Sequence, residues 1–403
     1  MYVDINKFVQ LDCIGRGCFA HAYKILDKDS GKEYVAKISI NRIDYDHISE
    51  KDDITALERE LNINSKISHP CITKFYGYSL YDFDNSPRPM IIIEYAPKGT
   101  LQSIVNLERN GFVIDGWDST QKLIIIYGIA AGMAYLHSNN ILHRDLKLDN
   151  ILLDSNLCAK IADFGLSKIY TVTSSPSPND RGPSIYFAPE TICDNKYSQK
   201  TDVYSFAFIL YELLIGKVQY PNLSMLEFLE NVVYKDLRPD IKKDIPASYR
   251  KLIEDCWSKL PSDRPSFNQI LERLQRDPGF ITSNVNKERF FNYIDLIKNS
   301  ESSFNPKSQI IYYSKDQRKI QIQSEQQISS NFNSQNKNCF ATSVYPAPRS
   351  ASLSCTSDIL SANNFVSSVY LPSSTNHINM SDFQQIPNSF CKSYYPSPYV
   401  TSK

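Results

Sequence analysis

His143-Arg144-Asp145-Leu146-Lys147-Leu148-Asp149-Asn150, continued by Ile151-Leu152-Leu153 and then by Asp163-Phe164-Gly165, sets two carboxylates and an amide around a short apolar run. Working outward, Ile14-Gly15-Arg16-Gly17-Cys18-Phe19-Ala20-His21-Ala22-Tyr23 places two glycines where backbone amides can approach phosphate oxygens. Alone this is a weak signal, since an ordinary glycine turn has the same look. A loop opening a helix would suggest a dinucleotide site, but this one leads into His21 to Leu26 and the turn Asp29-Ser30-Gly31-Lys32. That order reads as a hairpin folded over a nucleotide. Tyr34-Val35-Ala36-Lys37 then puts a lysine on the next strand, and Glu60 follows in a helical stretch. A strand lysine supplies a compact positive charge for polyphosphate, and a helix carboxylate can hold its ammonium in place. Taken singly, each is more often a solvated surface residue.

Residues 8 to 95 show short β-branched and aromatic runs, interrupted by helical spacing of Ile54, Leu57 and Leu61 between Asp52 and Ile67. From Leu101 to Leu274 the period is helical in most windows: Gln121 to Asn139, Gln199 to Gly216, Met225 to Val233, Ser248 to Trp257 and Ser266 to Arg273. The expected class is α+β, a sheet-rich lobe joined to a helical lobe with a ligand cleft between them.

The three motifs, in this order and approximate spacing, resemble those of the eukaryotic-type protein kinases. The resemblance covers residues 8 to 275 and implies the bilobal kinase fold: a small β-rich N-lobe with one helix and a larger, mainly helical C-lobe. It implies transfer of the γ-phosphate of ATP to protein hydroxyls, with magnesium, or manganese in its place, as the metal. Asp145 is then the residue that accepts the hydroxyl proton, Asn150 and Asp163 the metal ligands, and Lys37, paired with Glu60, the contact to the α and β phosphates. Lys147 stabilises the transferred group. Glu60 is preferred to Glu58 because it stands nine residues before His69-Pro70, a spacing usual in the family. The phosphates lie under Gly15 to Ala20; adenine lies between Ile14, Ala22 and Val35 above and Leu152 below, reading the backbone near Glu94-Tyr95-Ala96, with Ile93 at the back. Without the neighbouring motifs these aliphatics would read as plain core. Ala188-Pro189-Glu190 and Arg264 are the implied structural ion pair, and Asp202 the brace of the catalytic loop. Cys256-Trp257 followed by Arg264-Pro265-Ser266-Phe267 resembles the tyrosine-kinase-like group and the tyrosine kinases.

Departures from the family pattern are changes of shape. Ala20 replaces the third glycine, Ala22 the valine after it, and Val35 an alanine. A pseudokinase scaffold usually lacks the lysine or one of the two aspartates, and Lys37, Asp145 and Asp163 are all present. A kinase of small metabolites needs neither the Glu190 and Arg264 pair nor the Asp202 brace. The choice of hydroxyl carries two opposed signals: Lys147 is the serine/threonine pattern, whereas Pro183 in Gly182-Pro183-Ser184-Ile185-Tyr186-Phe187 is common in tyrosine kinases. Lys147 is the weightier, which favours serine and threonine over tyrosine or dual specificity. Thr171, Thr173, Ser174, Ser175 and Ser177 form an expected phosphate-accepting loop, with Arg144 placed to dock the phosphate.

The chain of 403 residues carries 44 basic and 44 acidic side chains, so no global field holds it on nucleic acid or an anionic membrane. Nine cysteines without a C-x-x-C pair argue against a disulfide framework or zinc module. Met1 to Lys7 lacks the order of a secretion signal, and Tyr2 excludes myristoylation. The longest apolar run, Val203 to Gly216, is well short of the roughly 20 residues of a membrane span and reads as a buried core helix. Cytoplasm or nucleus is the expected location. Residues 276–300 are a short flanking segment, with a helix over Glu288 to Ile297. From 301 to 403, serine, asparagine and glutamine make up about 40% of residues, a composition expected to be largely disordered and dispensable for catalysis. Its serines, tyrosines and prolines suit recruitment of signalling partners.

Overall fold

The computed structural model describes residues 2–17, 20–40, 60–164, 168–169, 185–220 and 223–302. Cys18, Phe19, most of the Asp52 to Ile67 stretch, the phosphate-accepting loop with Pro183 and Ser184, and the tail from 303 lie outside these.

Five antiparallel strands build the first lobe: β1 (Phe8–Arg16), β2 (Ala20–Asp27), β3 (Glu33–Ser39), β4 (Phe75–Ser79) and β5 (Met90–Glu94), in the order β1-β2-β3-β5-β4. The two-residue alternation of β3 sorts its side chains by face. Tyr34, Ala36 and Ile38 join Ile25, Met90 and Ile92 in one apolar layer. Val35 joins Ile91, Ile93 and Ala22 in another, and Lys37 shares that face by register. The β2–β3 turn closes because Asp27 Oδ1 accepts the amides of Asp29 and Ser30, both at 2.9 Å, and Gly31 takes a left-handed φ of 66°.

The second lobe is helical. Its elements are α1 (Leu101–Arg109), α2 (Ser119–Ser138), β6 (Ile141–Leu142), β7 (Ile151–Leu153), β8 (Ala159–Ile161), β9 (Lys168–Ile169), α3 (Pro189–Asp194), α4 (Gln199–Ile215), α5 (Met225–Phe228, continued as a wider π-turn to Tyr234), α6 (Ala247–Cys256), α7 (Phe267–Arg276) and α8 (Lys287–Ser302). Helices α2 and α4 are apolar nearly all round and are buried nearly all round, as such helices must be. Each starts on a side-chain cap: Asp118 accepts the Gln121 amide at 2.6 Å, and Ser198 accepts that of Lys200 at 3.1 Å. Gly216 ends α4 with a left-handed φ of 69°. No described helix is long and apolar enough to cross a membrane.

The main core runs from Ile63 to Ile297, so it continues past residue 275 into the flanking segment. Helix α8 is longer than the expected Glu288 to Ile297. Phe290, Ile294 and Ile297 recur at helical spacing on its buried face, and Phe290 meets Tyr127 of α2 edge to face with centroids 5.7 Å apart. Arg289 ties the start of α8 to Asp118 at 3.1 Å and to Gln121, and Thr120 Oγ1 accepts the Asn286 amide at 2.9 Å. Each buried side chain of this size adds about 1.5–3 kcal/mol relative to exposure. Phe290→Ala is expected to cost about 3–5 kcal/mol, read as a lower urea midpoint with unchanged slope.

Candidate active site

The catalytic stretch is held from beneath by Asp202, near the start of α4. Its Oδ1 accepts the Arg144 amide at 2.9 Å; its Oδ2 accepts the His143 amide at 3.0 Å and His137 Nε2 at 2.8 Å. Burial alone would raise the Asp202 pKa, but the His137 bond, the two histidines and the Arg144 amide outweigh it and hold the carboxyl below its usual range. Because the folded pKa is the lower one, the stabilisation is present above the unfolded carboxylate value and is lost as pH falls through the folded one.

His143 ties this loop to the next motif. Its Nδ1 accepts the Asp145 amide at 3.3 Å, which leaves the proton on Nε2 to be donated to the carbonyl of Ala162 at 3.1 Å. The β7–β8 hairpin pairs Ile151 with Ile161, and Asn150 O accepts the Ala162 amide at 2.9 Å. Asn150 and Asp163 are thereby fixed side by side. Arg144 and Asp163 both have left-handed φ, 68° and 67°, a strain of about 1–3 kcal/mol each that recurs at functional sites. Arg144 lies over the Tyr197 ring at 4.3 Å. Phe164 is buried beside His143, and β9 pairs back onto β6 just beyond it.

Five of the sequence-selected residues meet in two groups, Asp145 with Lys147 and Asn150, and Lys37 with Asp163. Asp145 Oδ2 accepts Asn150 Nδ2 at 3.0 Å and pairs with Lys147 Nζ at 3.1 Å; the Asp145 carbonyl takes the other Asn150 donor at 2.7 Å. With both amide hydrogens spent on Asp145, the Asn150 carbonyl oxygen is left as the coordinating atom of that side chain. Across the cleft, Lys37 Nζ pairs with Asp163 Oδ1 at 3.1 Å. Glu60, the partner that the resemblance implies for Lys37, lies within reach of the Lys37 charge. Burial raises the Glu60 pKa, Lys37 opposes that, and Asp163 adds to it.

Gly15 pairs with Ala22, Arg16 with His21, and the Gly17 amide bonds to Ala20 O at 2.9 Å, so the glycine hairpin is closed. Ile14 is exposed. Ala22, Val35 and Ile93 share one apolar cluster. The segment after β5 runs against β7 through Lys98 N to Leu153 O at 3.2 Å and Leu153 N to Gly99 O at 2.9 Å, which carries Ala96 and Leu152 to the same edge. Glu94 turns its carboxylate away to Lys160 at 3.3 Å and the Lys74 amide at 3.0 Å. Its backbone amide is bonded to the Lys74 carbonyl at 2.9 Å. Among the described residues no group of three or more His, Cys, Asp or Glu could enclose a metal.

Compared with known proteins, residues 8–274 match the family described as protein tyrosine and serine/threonine kinase. The chain belongs to this family. Among its relatives are the serine/threonine-protein kinase STY17 of Arabidopsis thaliana, 34% identical over 218 residues, 54% of this chain and 36% of that protein. The probable serine/threonine-protein kinase drkC of Dictyostelium discoideum is 31% identical, covering 68% of this chain and 35% of its own length. The dual specificity protein kinase shkB of the same organism is 33% identical, covering 64% and 38%. The chain thus spans little more than a third of the length of these curated relatives.

Two further parts of the kinase site were not singled out from sequence. His137 is one, an imidazole in the last turn of an otherwise apolar helix, and that oddity was the available signal. The other is a buried cluster around Tyr186 and Glu212. Tyr186 donates to Glu212 Oε1 at 2.5 Å, Gln219 donates to the same oxygen at 2.5 Å, and Arg109 pairs with Oε2 at 3.3 Å. Burial raises the pKa of both Glu212 and Tyr186. Ser205 Oγ also donates to the Tyr186 carbonyl at 2.8 Å, so α4 holds Tyr186 as well as the catalytic stretch.

Proposed function

We propose that this chain is an active serine/threonine protein kinase of the tyrosine-kinase-like group, working on protein substrates in intracellular signalling. The observation that supports the reading is the Asp145, Lys147 and Asn150 network together with the Lys37 and Asp163 pair. Asp145 accepts the substrate hydroxyl proton and aims its oxygen, with Lys147 screening charge beside it. Lys37 would hold the α and β phosphates, and Asp163 and Asn150 are the residues that would hold the metal. The donors fit a hard cation: one carboxylate and one amide oxygen, the remaining positions being left to water and phosphate, suit magnesium better than a closed protein cage would. Magnesium bound there neutralises charge on the transferring phosphate. The adenine site is formed by Ile14, Ala22, Val35, Ile93, Ala96 and Leu152, with Gly15 to Ala20 over the phosphates.

Cytoplasm or nucleus is the proposed location. The proposed division is a catalytic domain over 8–275, a flanking segment over 276–300 and a tail over 301–403 that recruits partners. Lys147 supports serine and threonine as acceptors, while shkB and a second Dictyostelium relative, shkC, are named dual specificity protein kinases. Phosphopeptides made by the purified protein on a mixed lysate with magnesium and ATP separate these. Phosphoserine and phosphothreonine are expected to dominate; a majority of phosphotyrosine overturns the assignment.

A further inference from the structure

We infer that Tyr293, which lies beyond the stretch matched by the kinase family, is a positioning residue for Asp163, acting through Cys71 and β8. This rests on the kinase reading of Asp163 as a metal ligand.

The argument begins with two glycines one turn apart in α2, Gly128 and Gly132. A methyl group at Gly128 would stand 2.5 Å from Tyr293 Oη; one at Gly132 would stand 2.7 Å from Ile161 Cδ1 and 3.2 Å from the Cys71 carbonyl. The glycines therefore cut a notch in α2 that receives Tyr293 at one end and the crossing of the Cys71 segment with β8 at the other. Within the notch the groups are in contact: Tyr293 Oη lies 3.5 Å from Cys71 Sγ.

From Cys71 the path is short. The Cys71 carbonyl accepts the Ile161 amide at 2.8 Å, and the Ile161 carbonyl accepts both the amide and the hydroxyl of Thr73, at 2.9 and 3.1 Å. Ile161 ends β8, two residues before Asp163. Tyr293 itself is immobilised by α8, anchored at Asp118 and Thr120, and by the edge of the Tyr127 ring at 6.4 Å. A side chain from the flanking helix thus wedges the segment on which the metal-facing strand hangs.

A merely space-filling Tyr293 would affect stability alone, so the test compares full-length variants. In Tyr293→Ala, amide hydrogen exchange in peptides covering 71–73 and 159–164 is expected to quicken, and the magnesium concentration for half-maximal phosphate transfer to rise about three- to tenfold, short of the 10- to 100-fold typical of direct ligand-orienting partners. Ile297→Ala, buried on the same helix but outside the notch, is expected to leave both readouts at wild-type values. Gly128→Ala should reproduce the Tyr293→Ala behaviour, and Gly128→Ala with Tyr293→Phe should reverse it by removing the clashing oxygen. Wild-type exchange at 159–164 in Tyr293→Ala, or an equal change in Ile297→Ala, overturns the inference. A wild-type protein that binds nucleotide yet transfers no phosphate overturns the kinase reading instead, and the exchange data still decide whether Tyr293 holds β8.

Discussion

Asp145→Asn is expected to lower phosphate transfer by roughly 10² to 10⁴, the usual contribution of a positioned acid-base group, while the thermal midpoint stays near wild type. The substitution keeps the shape of the side chain. An asparagine oxygen in place of Oδ2 still accepts the Asn150 amide and faces Lys147, bonds now made at 3.0 and 3.1 Å. What is lost is the negative charge that takes the proton and the full attraction for Lys147. A kinetic assay with contaminating kinases excluded checks this, and turnover within about twofold of wild type would sink the assignment.

Arg264→Met is expected to destabilise the helical lobe by about 3–5 kcal/mol, a large share of the 5–15 kcal/mol available to a typical domain. Arg264 is 1% exposed, and all five of its donors are occupied. Two reach Glu190, at 2.6 and 2.9 Å, and three reach the carbonyls of Ser258, Lys200 and Lys259. The guanidinium also lies over the Tyr204 ring at 4.8 Å. Methionine retains much of the packing but strands the buried Glu190 carboxylate. The double variant Glu190→Gln, Arg264→Met should therefore be more stable than Arg264→Met alone. Urea unfolding of the three proteins measures this, and a single-variant loss below about 1 kcal/mol would remove the pair as a stabilising element.

Much of this architecture was legible because phosphoryl transfer demands particular groups close together in sequence. Asp145 and Asn150 are five residues apart and bond to each other directly, so a local motif captured a real contact. Helices α2 and α4 were legible as buried because apolar residues cover their whole circumference. What escaped was pairing at a distance. Nothing local says that His137 meets Asp202, or that Glu212, which in sequence only interrupts an apolar run, is the acceptor for Tyr186 and Gln219. The bond from Lys37 to Asp163 is another such pairing, made between residues 126 positions apart. Helix α8 was underestimated because its stripe of Phe290, Ile294 and Ile297 is brief and set among polar residues.

The continuation of the core into α8 also bears on how this enzyme can be cut and joined. A fragment ending at the family boundary near residue 274 would carry an open furrow floored by Tyr127, Gly128 and Gly132. Its rim, Asp118 to Gln121, would have lost Arg289 and Asn286. Uncovered apolar surface of this kind drives self-association, so such a fragment is suited to precipitate or to capture a foreign helix. The portable unit for fusion, grafting or exchange with relatives therefore ends after α8, near residue 302, and shuffling shorter pieces would separate the motif-bearing lobes from the clasp that closes them.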